Sequence, residues 1–267
     1  MAEAVDAPFD RPDVAFNGLE GWSWIGGYGG YYLQCDWLDG FEHGFFTRQW
    51  QGRGPEVLAG VISAGVSVHR CRQIHSATVL AASQATDAPW PEADGLVSDQ
   101  GAQSLWVCGA DCPPVLIADR SSGRVAACHA GWRGVAARIL PEAIRRLEAA
   151  GSLRGDLVVA LGPAISGPNY QVERPVSLQV AQSLGADALD RSLEALEAAA
   201  AITPDGEPGR DRLDLRRAIR LQLEREGIAA GQISVCPLCT LAEPLLFHSW
   251  RRDQVKAVQW SGIVAQA

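Results

Sequence analysis

The chain has 267 residues, 47% of them hydrophobic and 20% charged, with a formal net charge of −8. A chain of that length and apolar content can bury a core without disulfide staples. The acid excess argues against a protein that coats nucleic acid through a basic face, and no apolar run reaches the roughly 18 residues of a membrane span.

Residues 1–20 are rich in Asp, Pro and Ala and read as a loose arm. They show no basic stretch followed by an apolar one, so no signal peptide is expected and the expected compartment is the cytoplasm. GGYGGYYLQCDWLDG (26–40) reads as glycine turns and a short strand, and FEHGFFTRQW (41–50) as a strand running into the loop QGRGPE. VSVHRCRQIHSATVL (66–80) sets β-branched residues on both sides of a polar centre; a loop over 83–93 and a turn at DGLVSD follow. SLWVCG (104–109), PVLIAD (114–119) and RVAACHA (124–130) read as strands. The last two, joined across RSSG, predict a hairpin that brings Cys112 to the level of His129. Beyond Gly134 the spacing turns helical and closes on Gly151, with Pro141 either kinking this helix or opening a second one. DLVVALGPAI reads as a buried strand, 175–200 as helical, TPDGEPGRD (203–211) as loop and LDLRRAIRLQLEREGI (213–228) as an amphipathic helix. ISVCPLCT, PLLFHSW and KAVQWSGIVA complete the chain as short strands. There is no repeat and no strict βαβ rhythm, which predicts one α+β domain with a mixed sheet.

Seven cysteines, an odd number, stand at 35, 71, 108, 112, 128, 236 and 239, which argues against a disulfide framework. Histidine is scarce: His43, His69, His75, His129 and His248. His75 in CRQIHSAT, Cys112 in GADCPP and His129 in ACHAGWRG fall at strand ends or turns, where side chains converge on a cleft. Zinc accepts imidazole and thiolate, and a catalytic site uses three protein ligands with one position open. The spacing matches no general zinc signature. From the residues alone, a metal triad, a Cys–His nucleophilic dyad and plain structural roles all stand. The second histidine favours metal, since a dyad needs only one. CPLC (236–239) offers too few ligands for structural zinc and reads as two part-buried thiols. Alternation turns Cys128 to the opposite face from His129.

Arg48 ends a strand, Arg133 lies where a helix begins, and Arg251 and Arg252 follow FHSW. An arginine beside a helix N-terminus suits phosphate or carboxylate. Trp132 either anchors its turn to the core or presents a face to a nucleobase. GPAISGPNYQVE lacks the ending of a phosphate loop, and there is no dinucleotide fingerprint and no nucleophile elbow.

Taken together, HGFFTRQW, CRQIHSATV, DGLVSD, GADCPPVLIAD, ACHAGWRGV, LGPAISGPNYQVE, LDLRRAI and CPLCTLAEPLLFHSWRRD resemble the bacterial laccase-domain or polyphenol-oxidase-type family. Its members are regarded as zinc-dependent purine nucleoside phosphorylases with adenosine deaminase activity. The resemblance runs from about residue 41 to the C-terminus and is loose over 1–40. It implies an α+β fold with sandwich-like sheets flanked by helices. It also implies zinc ligands at His75, Cys112 and His129, with adenosine, inosine, guanosine or methylthioadenosine as nucleoside and phosphate as co-substrate. The catalytic set would be His75, Cys112, His129 and Arg48, with Arg48, Arg133 and Arg251 holding the phosphate. Asp94 and Asp111 are candidates for orienting ligands or moving protons, or for capping turns. No nucleic acid and no membrane is expected as partner. Two rivals remain: copper-dependent phenol oxidation, for which five histidines are few, and a Cys112-dependent amidase acting on cell-wall precursors.

Overall fold

The computed structural model describes residues 18–27, 29–185 and 188–266. The strands are β1 (Trp22–Gly27), β2 (Gly30–Cys35), β3 (His43–Phe46), β4 (Ser67–Arg70), β5 (Val79–Ala81), β6 (Gly95–Val97), β7 (Gln103–Gly109) and β8 (Pro114–Asp119). They continue with β9 (Val125–His129), β10 (Leu157–Leu161), β11 (Gln171–Glu173), β12 (Ile202–Pro204), β13 (Arg210–Leu213), β14 (Ile233–Val235) and β15 (Gln259–Val264). The helices are α1 (Pro55–Ile62), α2 (Trp132–Ala136), α3 (Ile139–Ala149), α4 (Arg174–Gln182), α5 (Leu189–Ala198), α6 (Leu215–Arg225) and α7 (Trp250–Asp253). None is long and apolar enough to cross a membrane.

Two six-stranded mixed sheets, ordered β1-β2-β3-β15-β7-β4 and β14-β10-β8-β9-β6-β5, stack face to face; a small third sheet runs β11-β13-β12. Leu33, Phe45, Leu105 and Ile263 of the first sheet meet Leu116, Ala127, Val158 and Ala160 of the second in one apolar layer. The alternate residues of the second sheet, Val115, Ile117, Cys128 and Val159, pack against Ile144 and Leu147 of α3 and Ile219 and Leu223 of α6. The outer face of the first sheet is covered by Trp50 and by Leu58 of α1. Because both faces of the central strands are buried, PVLIA, VAAC and LVVAL read as continuous apolar runs rather than alternating ones. Each residue simply chooses between two cores. This is the α+β sandwich with flanking helices that the resemblance implies.

Several elements differ in detail. The glycines at 26–30 form the β1–β2 hairpin, which makes an edge of the first sheet. The strand expected over 41–50 stops at Phe46, and a 3₁₀ turn carries Arg48–Trp50. Helix α1 begins within the expected loop; Pro55 sits at its first position, where the missing N–H costs nothing. DGLVSD carries β6, a three-residue buried strand too short for periodicity to show. Helix α2 breaks from α3 at Arg138, whose φ of 66° is left-handed, and Pro141 lies in the first turn of α3, where no backbone donor is needed. The helical stretch 175–200 divides into α4 and α5, and the loop 203–211 has strand at both ends, in β12 and β13. PLLFHSW is turn rather than strand. The β8–β9 hairpin forms as expected, with Pro114 opposite His129.

In the first sheet, Gly262 on β15 faces Trp106 on β7, and a Cβ at 262 would stand 2.6 Å from the indole ring. That ring is fully buried and its Nε1 donates to Ser104 Oγ at 2.9 Å, so it cannot swing aside. Gly262→Ala is expected to cost about 1–3 kcal/mol of unfolding free energy by overpacking, read from chemical denaturation; wild-type stability would refute this packing account.

Candidate metal and substrate site

The site opens where β7, β8 and β9 run out into loops. The loop after β4 carries His75 in a left-handed conformation, φ 61°, which is costly for a residue with a Cβ. One carboxylate holds it there. Asp94 accepts from the backbone N–H groups of Ile74 (3.2 Å), His75 (2.9 Å) and Ser76 (2.6 Å) and from the Ser76 hydroxyl (2.8 Å). The same carboxylate meets His129 Nδ1 at 3.0 Å. That bond turns Nε2 of His129 toward Cys112.

His75, Cys112 and His129 therefore converge: their ligand atoms all lie within 4.8 Å of one another, the one such group among the described residues. The two imidazoles meet edge to face, with centroids 4.8 Å apart. Gly131 makes room, since a Cβ there would lie 3.1 Å from both Cys112 Sγ and His75 Cδ2. His129 is buried, Cys112 half-buried and His75 exposed, so the group is walled on one side and open on the other. Burial opposes the Cys112 thiolate, but hydrogen bonds and charge from His129 and His75 outweigh it and bring the thiol down to about 7. Burial likewise opposes a charged His129, yet Asp94 and Cys112 raise it to about 9. Two imidazole nitrogens and a readily ionised sulfur, with one ring oriented from behind, form a donor set that fits a borderline-soft cation such as zinc.

The group sits in the wall of a cavity of about 620 Å³. Trp132, Arg133, Tyr170, Arg251, Trp250, Val255, Lys256 and Val258 also line it. The Arg133 guanidinium lies over the Trp132 ring at 4.3 Å, and that of Arg251 over Tyr170 at 5.0 Å while donating to the Gln171 carbonyl. Helix α2 is only five residues long, so its dipole adds little to the charge of Arg133. Trp132 both packs against the helix-side core and faces the cavity. Burial raises the Tyr170 phenol to about 12, so it stays a hydrogen-bond donor at neutral pH. Arg48 lies outside this lining and donates to the Pro244 carbonyl at 2.6 Å.

Other expectations resolve into structural roles. Asp111, at φ 97°, accepts from Thr240 Oγ1 (2.6 Å) and from the Arg251 backbone N–H (2.7 Å), tying the start of α7 to the loop that carries Cys112. Arg252 donates to the carbonyls of Thr240, Leu241 and Phe247. Cys236 is buried in the inter-sheet core, and Cys239 Sγ accepts from Ser166 and Asn169. Cys128 lies in the helix-side core, where burial raises its pKa. Tyr170, Lys256 and the exposed Trp250, Val255 and Val258 also reach the cavity, although no spacing in the sequence links them to the triad.

The family model described as multi-copper polyphenol oxidoreductase laccase matches residues 56–266, and the chain belongs to that family. It is 43% identical, over 91% of its length and 97% of the relative's, to a protein of Synechocystis named purine nucleoside phosphorylase. It is 36% identical to the Bacillus subtilis protein YlmD, also named purine nucleoside phosphorylase, over 61% of this chain and 55% of that one. Among solved structures it resembles YlmD of Geobacillus stearothermophilus, at a TM-score of 0.76 and 26% identity over 88% of this chain and 96% of that one. A Bacillus licheniformis protein, YfiH, matches at 0.75 and 26%, with the same coverage.

Burial alone would raise the Asp94 carboxyl, but bonds from His129 and Ser76 dominate and hold it at about 2. A carboxylate whose pKa is depressed on folding contributes stability above its unfolded pKa of about 4, and that stability is lost as pH falls toward 2. With chelator present, the wild type is expected to lose about 2 kcal/mol more than Asp94→Asn over that interval. Equal losses in acid denaturation would refute the role given to Asp94.

Proposed function

We propose that this chain is a zinc-dependent purine nucleoside phosphorylase that also deaminates adenosine. The observation that carries the proposal is the meeting of His75, Cys112 and His129 with Arg133 and Arg251 on one cavity. The relatives' shared name adds the substrate class. His75, Cys112 and His129 would hold the metal, and Asp94 would fix the ring of His129 and the backbone of His75. A bound zinc ion would supply Lewis acidity at the cavity wall, the chemistry that replacement of an amino group by a water oxygen requires.

In phosphorolysis a phosphate oxygen bonds to C1′ as the C1′–N bond breaks. The bonding pair leaves with the base, which takes up a proton, and charge builds on the sugar as in glycoside cleavage. Arg133 and Arg251 would bind the phosphate. Stacked on Trp132 and Tyr170, their planar forks are held before the anion arrives, which lowers the ordering cost of binding. Tyr170 would donate to a substrate oxygen. Trp132, Trp250, Val255 and Val258 supply apolar surface for the base. Arg48, whose guanidinium is bonded to the Pro244 carbonyl, is not among the residues that line the cavity. Adenosine, inosine, guanosine and methylthioadenosine are the substrates to try. All seven cysteines are free, which suits the reducing cytoplasm, where we place the protein.

The closeness of Cys112 to His129, and its pKa of about 7, favour one second reading, a Cys-dependent amidase. The deciding test incubates purified protein with inosine and phosphate. Free base and ribose 1-phosphate are expected, with about one zinc per chain, and Cys112→Ala should lower kcat/KM by about a hundredfold or more. Wild-type rates in that variant would sink the triad assignment. Stoichiometric copper with a thiolate-to-copper band would instead support phenol oxidation. Amide cleavage that survives chelation would support the amidase.

A further inference from the structure

Of the 23 basic residues in the chain, one is a lysine, Lys256. It lies in the turn between α7 and β15 and lines the cavity that holds the triad. Gln254, at φ 51°, ends the helix, and the Ala257 N–H bonds back to the Val255 carbonyl at 2.8 Å, so a tight turn presents Lys256. Its neighbours Val255 and Val258 are 60% and 42% exposed and line the same cavity.

Several arginines elsewhere pair with carboxylates, among them Arg138 with Glu226, Arg145 with Glu142, Arg154 with Glu148 and Arg174 with Asp211, while Arg48, Arg120, Arg217 and Arg225 donate to backbone carbonyls. Among the described residues Lys256 has no ion pair or hydrogen bond, and the guanidinium groups of Arg133 and Arg251 form no ion pair with a carboxylate. In a chain of net charge −8, three such cations on one concave surface form a local site for an anion, and the one carboxylate in the same lining, Asp111, is bonded by the Thr240 hydroxyl and the Arg251 N–H. The lysine also differs in kind. Two stacked guanidinium groups fix two directions of approach, whereas an ammonium on a four-carbon stem is a mobile point charge with three rotatable donors. It can follow an anion whose position changes as a bond forms.

We propose that Lys256 is a substrate-binding residue, the third cation of a phosphate pocket completed by Arg133 and Arg251, an inference that rests on the phosphorolysis proposed above. The probe is inorganic phosphate with the full-length protein. Phosphate should slow reductive dimethylation of Lys256, followed by peptide mass spectrometry. Loss of one charge-assisted contact in Lys256→Gln should weaken phosphate binding about tenfold by calorimetry, with Lys256→Arg recovering part of it. In turnover, the KM for phosphate should rise while that for the nucleoside stays. Labelling unaffected by phosphate, or equal phosphate affinity in wild type and Lys256→Gln, would overturn the proposal. Neither readout needs turnover. A protein that shields Lys256 with phosphate yet releases no base from any nucleoside would keep the anion pocket and refute phosphorolysis.

Discussion

The Asp94 carboxylate is the constraint on which the site depends. It stands within the second sheet's β5–β6–β9 end, and its bonds reach the backbone of a loop and the ring of a strand-end histidine at once. A buried carboxylate with no cation nearby would be expensive. Here three N–H donors, a hydroxyl and an imidazole share the charge, and satisfying it forces the left-handed turn at His75. The energy that stabilises the carboxylate and the energy that strains the loop are thus two parts of one arrangement. The geometry of the cavity wall is linked to fold stability through a single side chain.

The rest of the architecture makes that arrangement rigid. The central strands of the second sheet are packed on both faces and carry site residues at their ends. Cys112 reaches the site two residues ahead of β8, and His129 ends β9, so the β8–β9 register sets their separation. Asp111 and Thr240 secure the same loop from the other side. The arginines, by contrast, sit on short helices and turns at the rim, with their charged ends stacked on aromatic rings. The rigid part of the cavity suits a metal, and the looser rim suits a substrate that must enter and leave.

Much of this was legible in the residues. The β8–β9 hairpin, the amphipathic α6 and the unusual settings of His75, Cys112 and His129 follow from local pattern and turn chemistry. Other features were not. DGLVSD hides a strand because three buried residues carry no period. PLLFHSW imitates a strand because its apolar residues serve a packed turn. At Arg48 the strand gives way to a 3₁₀ turn, and its guanidinium bonds the Pro244 carbonyl, a contact that the local pattern does not encode. Tyr170 and Lys256 reach the cavity only through the folding together of segments far apart in sequence, which neither spacing nor composition encodes.

The doubly covered second sheet has a further consequence. In a sheet with one wet face, a slip of one residue would expose apolar side chains, and the pattern itself forbids it. In β8 and β9 both faces are dry, so a slip would trade one core's contents for the other's at little hydrophobic cost. The alignment must then be written at the polar ends of the hairpin. At one end Asp119 accepts from Ser121 and Ser122 and fixes the turn. At the other, His129 is held to Asp94 by ring and backbone together. The carboxylate that shapes the site thereby also acts as a proofreading mark for strand pairing, so a chain that folds out of register also loses its site.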